Sequence, residues 1–167
     1  FSVNLCTDAV SLLFAASGVG KSSLLQAAVI PHLQAVDGEN LTVICNTDWV
    51  SEPLARLREM IEAAGLLPNG TRLEGETLTE WLEFCGLFVS RPPLVLILDQ
   101  FEEFFRYQRH TAAFRPFIEQ LAAVITDGRL PVSVVISMRE DFAMELNAFK
   151  PQLPTLLFEN FYRLDTL

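Results

Sequence analysis

The run Ala15, Ala16, Ser17, Gly18, Val19, Gly20, Lys21, Ser22 satisfies the spacing G-x-x-x-x-G-K-(S/T) at every position but the first, where alanine stands for glycine. These residue types in this order suit one task. Glycine torsions let successive backbone N–H groups line a concavity for phosphate oxygens, an ammonium lies against the outer phosphates, and a hydroxyl takes one position on Mg²⁺. Lys21 is therefore expected between β- and γ-phosphate oxygens, and Ser22 on the metal ion. The cofactor-binding run comprises Ser17, Gly18, Val19, Gly20, Lys21, Ser22 and Ser23, of which Ser23 is also suited to packing or capping. Gly18 and Gly20 are retained where unusual torsions are needed, whereas Ala15 adds one methyl at a strand end. The competing reading is an ordinary glycine-rich turn with an exposed lysine.

A Mg²⁺ ion held by one hydroxyl calls for a carboxylate at the end of a neighbouring hydrophobic strand, and "PPLVLILDQFEEFF" supplies Asp99 there. An aspartate at a strand end can also cap the next helix. Glu102 and Glu103 follow, Glu102 being the first candidate for the base that polarises an attacking water and Glu103 the second. Two acids in a helix's first turn also complement its macrodipole without any catalysis. Gln100 takes the adjacent position, where many ATPases carry a catalytic glutamate. "VVISMREDF" ends a strand at Ser137, Met138 and Arg139; the guanidinium suits a γ-phosphate, and equally a pair with Glu140 or Asp141.

These residues need a scaffold that delivers them to one edge. Five apolar runs, "AVSLLFA", "LTVICN", "PLVLILD", "LPVSVVISM" and "FYRLDTL", alternate with helical patterns, the mark of a parallel α/β sheet covered on both faces. The helix after the glycine loop is expected to kink or stop at Pro31. Ser51 is placed to cap a second helix with Pro53 in its first turn, and Thr77 with Glu80 has capping-box spacing for a third. "FEEFFRY", "AAFRPFIEQLAAVI" and "EDFAMELNAF" supply further helix, and "LLPNGTRLEGE" is loop.

A chain of 167 residues, half of them hydrophobic and 13 of them Phe, fits one domain with a substantial core. The net charge of −9 and the scatter of the 12 basic residues argue against direct nucleic-acid contact or an anionic membrane surface. No apolar run is long enough to span a bilayer. Cys6, Cys45 and Cys85 are isolated in apolar contexts and read as reduced core thiols, which places the chain in the cytoplasm. His32 and His110 lack ligand-spaced partners, and Trp49 and Trp81 read as core or interface.

"SGVGKSSLLQAAVIPHL", "LILDQFEEFF", "VISMREDF" and "FENFYRLDTL" together resemble the nucleotide-binding domain of STAND-type signalling ATPases, P-loop NTPases related to NACHT proteins. The resemblance covers nearly the whole chain. It implies a three-layer P-loop NTPase fold with a five-stranded parallel sheet in the order 5-1-4-3-2. It also implies slow ATP turnover used as a switch: ADP holds a closed monomer, and ATP plus a sensed signal permits self-association. Sensor and effector parts, and a winged-helix segment that helps to hold the nucleotide, are expected outside residues 1–167. A non-hydrolysing oligomerisation module is the alternative.

Overall fold

The computed structural model describes residues 9–16, 18, 20–37, 41–88, 94–153 and 161–164. Ser17, Val19, Cys6 and Gly38 lie outside the described residues. Strands β1 (Val10–Ala15), β2 (Thr42–Asn46), β3 (Leu94–Leu98), β4 (Val132–Arg139) and β5 (Phe161–Leu164) form one sheet in the order β2-β3-β4-β1-β5. Every neighbouring pair is parallel. This is the expected order read from the other edge. With all strands parallel, their carboxyl ends share one rim, and β4 separates β1 from β3, so the ends of β1 and β3 stand about 10 Å apart at ordinary strand spacing.

Side-chain alternation sorts the sheet into two cores. Leu12 and Phe14, Leu94, Leu96 and Leu98, and Val134, Ile136 and Met138 face the larger one. It is filled by α3 (Pro53–Ala63), α4 (Leu78–Gly86), α5 (Glu102–Gln108), α6 (Phe114–Thr126) and the 3₁₀ segment Glu140–Phe149. Leu13, Val95, Ile97 and Val135 face the smaller core, against Leu25, Val29 and Leu33. Those three belong to the helical run after the glycine loop: α1 (Lys21–Leu24), a π turn (Leu25–Val29) and α2 (Ile30–Asp37). The helix that carries Lys21 and Ser22 thus covers one face of the sheet, and the other helices cover the opposite face.

Three local expectations are corrected. Pro31 neither stops nor ends the first helix, which continues to Asp37. The π turn just before it, with the Ile30 N–H donating to the Leu25 carbonyl, widens the winding and takes up the disruption that a proline ring causes in an α-helix. Glu52, not Ser51, caps α3: its carboxylate accepts from the N–H groups of Leu54 and Ala55, at 3.2 and 2.6 Å. Ser51 is held instead by Asp48, its hydroxyl donating to that carboxylate at 2.7 Å. Residues 140–149 wind as 3₁₀ rather than α. The two windings differ little in φ and ψ, so an apolar pattern does not separate them. The Thr77–Glu80 capping box is present as expected, and the Glu80 carboxyl, accepting from the Glu76 and Thr77 amides, is held below its usual pKa.

Candidate phosphate and metal site

The glycine loop leaves β1 at the carboxyl rim and turns directly into α1. Gly18 and Gly20 have φ of +80° and +86°, torsions that L-residues with a Cβ adopt at a cost. Ala15 is instead the last residue of β1, fully buried and paired with Arg139 and Leu164. Its methyl belongs to the sheet, which explains why the departure from the glycine spacing is tolerated. Gly20 is the N-cap residue of α1 and offers no side-chain cap, so the first amides of the helix are left for another acceptor. Lys21 is 9 % exposed and its ammonium, among the described residues, makes no ion pair or hydrogen bond. A nearly buried ammonium in that condition, beside uncapped amides, is a place for an anion. Ser22 is half-buried and Ser23 exposed.

Asp99 sits one residue beyond β3 and is fully buried. Its backbone is gripped on both sides: the N–H donates to the Asn46 carbonyl at 2.9 Å, and the carbonyl accepts from the Trp49 indole at 2.7 Å. Its Oδ1 accepts from the Ser137 hydroxyl at 2.7 Å, whereas Oδ2 is buried with no partner among the described residues. Ser137 lies two residues after Val135 on β4 and shares its face, so the carboxylate bonded to it lies on the sheet face that the Lys21 helix covers. The sheet therefore directs Asp99 and the glycine-loop helix to the same face at the same rim.

An orphaned carboxylate oxygen in such a place fits a hard cation. Among the described residues no group of three or more His, Cys, Asp or Glu converges to hold a metal. One carboxylate and one hydroxyl, with phosphate oxygens and waters completing the shell, is a donor set suited to Mg²⁺ rather than to Zn²⁺. Burial and the charge of Asp99 push the Cys45 thiol up to about 11. Cys85 is free, buried and likewise raised. His32 and His110 are exposed.

The acids and the arginine beyond Asp99 are all engaged. Glu102 is 6 % exposed, and its Oε2 accepts from the Arg139 N–H at 3.1 Å. Glu103 pairs with Arg106 at 2.7 Å. The Arg139 guanidinium forms two bonds to Asp141, at 3.0 and 2.6 Å, and its centre lies 5.4 Å from the Phe142 ring centroid. Arg139 thus stands at the rim, next to Ala15 in register, but turned toward its own loop.

Four further residues shape this neighbourhood through tertiary contacts. Ser137 fixes Asp99, and Trp49 holds its carbonyl while packing edge-on against Phe101, Phe104 and Phe117. Gln108, buried in α5, donates through Nε2 to the carbonyls of Trp49 and Ser51 and closes the loop after β2. Gln100 has φ of +54°, the one positive value among described residues other than glycine. The flanking bonds, Trp49 to the Asp99 carbonyl and the Phe101 N–H to the Ser137 carbonyl at 2.9 Å, impose it. Replacing Gln100 by glycine should relieve this torsion and raise stability by about 1 kcal/mol, roughly 2–4 °C in Tm. A fall in Tm for that variant would show the torsion to be unstrained.

The same architecture recurs in other solved structures. The Aeropyrum pernix ORC2 protein in its ADP form aligns with 98 % of this chain and 44 % of its own, at 19 % identity and a TM-score of 0.63. The Aeropyrum pernix ORC1 protein in complex with DNA aligns with 93 % of this chain and 39 % of its own, at 17 % identity and a TM-score of 0.56. The Walker-type ATPase PABY2304 of Pyrococcus abyssi aligns with 95 % of this chain and 47 % of its own, at 14 % identity and a TM-score of 0.53. The chain spans less than half the length of each, and at these identities the likeness establishes the fold. No curated protein sequence matches the chain. The model of one family, described as Novel STAND NTPase 1, matches residues 3–166. The glycine loop, the strand-end carboxylate and a match over nearly all 167 residues lead to one conclusion: the chain belongs to the Novel STAND NTPase 1 family and is a nucleotide-binding P-loop module.

Proposed function

We propose that this module is the ATP/ADP switch of a longer cytoplasmic signalling or defence protein, hydrolysing slowly and controlling self-association. The observation that carries the reading is the buried, unpartnered Oδ2 of Asp99 on the sheet face covered by the Lys21 helix. In this reading the amides from Ser17 to Ser23 cradle the phosphates, Lys21 lies against β- and γ-phosphate oxygens, and Ser22 with Asp99 holds Mg²⁺. Bound Mg²⁺ would neutralise charge on the outer phosphates. Arg139 would exchange Asp141 for a γ-phosphate, so that its position reports which nucleotide is present. Glu102 is the first candidate base and Glu103 the second; each must surrender a present partner before it can polarise a water. The three engaged side chains favour slow turnover, and for the same reason a non-hydrolysing oligomerisation module is the second reading.

Nothing in the charge distribution invites DNA, and the DNA of the ORC1 complex is a property of that protein. Among the described residues no helix is long and apolar enough to cross a membrane. The switch is tested in the longer protein by Glu102→Gln, which should retain ATP and assemble constitutively if hydrolysis resets the state. No detectable turnover in the unmodified protein, with assembly unchanged in Glu102→Gln, would favour the non-hydrolysing module instead.

A further inference from the structure

Asp99 is fixed at three of its four polar groups, and one residue supplies the constraint on its side chain. The Ser137 hydroxyl, itself fully buried, donates to Oδ1 at 2.7 Å, and the Ser137 carbonyl accepts from the Phe101 N–H at 2.9 Å. β4 thereby grips the segment after β3 at the carboxylate and again two residues later. A carboxylate turns about its last torsion over a broad, roughly two-fold range unless something holds its plane. Here the hydroxyl occupies one oxygen and leaves Oδ2, buried and without a partner, as the free one. On the same face of the strand, Val135, two residues earlier, is fully buried, and Ser133, four residues earlier, is a second buried serine. A fully buried hydroxyl is costly unless it is hydrogen-bonded, and that of Ser137 is bonded to Asp99.

We propose that Ser137 is the positioning residue for the metal-binding carboxylate: its hydroxyl sets the plane of Asp99 so that Oδ2 is presented to the Mg²⁺ of the bound nucleotide. Partners that orient a ligating group typically change metal affinity by about 10- to 100-fold when removed. The inference rests on the nucleotide and Mg²⁺ reading above. It is distinct from a merely satisfied core serine, because it links Ser137 to the metal and not to the nucleotide as a whole.

The test is calorimetric titration of the chain with ADP, once in excess MgCl₂ and once in EDTA. The unmodified chain should bind ADP more tightly with Mg²⁺. In Ser137→Ala the gain due to Mg²⁺ should shrink by about 10- to 100-fold, with ADP affinity in EDTA unchanged. Ser137→Thr, which keeps the hydroxyl, should restore the gain, and Ser137→Cys, a weaker donor of similar size, should fall between. Should the alanine variant fail to fold, the order Ser, Thr, Cys carries the comparison. A Mg²⁺ gain that survives in Ser137→Ala, or is equal in the cysteine and serine proteins, overturns this inference alone. Equal weakening in both media also overturns it, since that is the signature of a structural role. If the unmodified chain binds ADP but gains nothing from Mg²⁺, the metal reading of Asp99 fails and this inference with it.

Discussion

Replacing Lys21 by alanine should leave the chain folded and abolish its hold on Mg-nucleotide. Lys21 is nearly buried, yet its ammonium has no counter-ion and no hydrogen bond among the described residues, so its removal breaks no contact of consequence with them. What is lost is the pair of charge-assisted bonds to phosphate oxygens, each contributing about 1.5–3 kcal/mol. Together they amount to roughly 3–6 kcal/mol, or about 100- to 10,000-fold in affinity. A ligand present at 100 times its Kd stabilises the native state by about 2.7 kcal/mol, which for a domain of this size raises Tm by roughly 5–11 °C. Mg-ADP should therefore produce such a shift in the unmodified chain and none in Lys21→Ala at the same concentration. An alanine variant that unfolds, or that shifts as the unmodified chain does, would remove the ammonium from the phosphate site.

The largest loss of stability is expected at Trp49. Its side chain is 1 % exposed and meets Phe101, Phe104 and Phe117 edge-on, with ring centroids 5.1, 5.8 and 5.9 Å away. Truncation to alanine empties the centre of this aromatic cluster, at a cost of about 3–5 kcal/mol, and leaves the Asp99 carbonyl without its donor. That is a large part of the 5–15 kcal/mol typical of a whole domain. Trp49→Phe keeps an aromatic ring but removes the N–H, and should cost about 1–3 kcal/mol. Urea unfolding gives both values. Because the indole N–H holds the backbone of the metal-binding residue, the phenylalanine variant should also lose part of its Mg²⁺-dependent nucleotide affinity. Equal stability of Trp49→Phe and the unmodified chain would mean that the bond to Asp99 contributes nothing net.

The scaffold was readable because its signals are strong and local. Apolar, β-branched runs alternating with helices specify a parallel sheet, and a glycine loop between a strand and a helix fixes where that sheet turns. Gly18, Gly20 and Asp99 could be placed at the rim for that reason. The resemblance to STAND ATPases added the strand order, which no spacing in the sequence contains. Other features escaped because tertiary contacts decide them. Gln100 carries no sign of a left-handed torsion, since anchors on either side force it. The partner of Arg139 was open between a phosphate and a neighbouring acid, and the structure pairs it with Asp141. Ser137 did carry a signal: a hydroxyl at a fully buried position of a central strand needs a partner, and Asp99 is that partner. The cap of α3 moved one residue, from Ser51 to Glu52, because Asp48 competes for the serine.

The central claim is that Asp99 and the glycine-loop helix meet on one metal ion bound with nucleotide, and Mn²⁺, a paramagnetic substitute for Mg²⁺, reads it directly. Electron paramagnetic resonance should detect one Mn²⁺ held per chain only when ADP is present, and little or none in Asp99→Asn with the same ADP. Mn²⁺ bound equally well without ADP, or retained at full strength by Asp99→Asn, would contradict it.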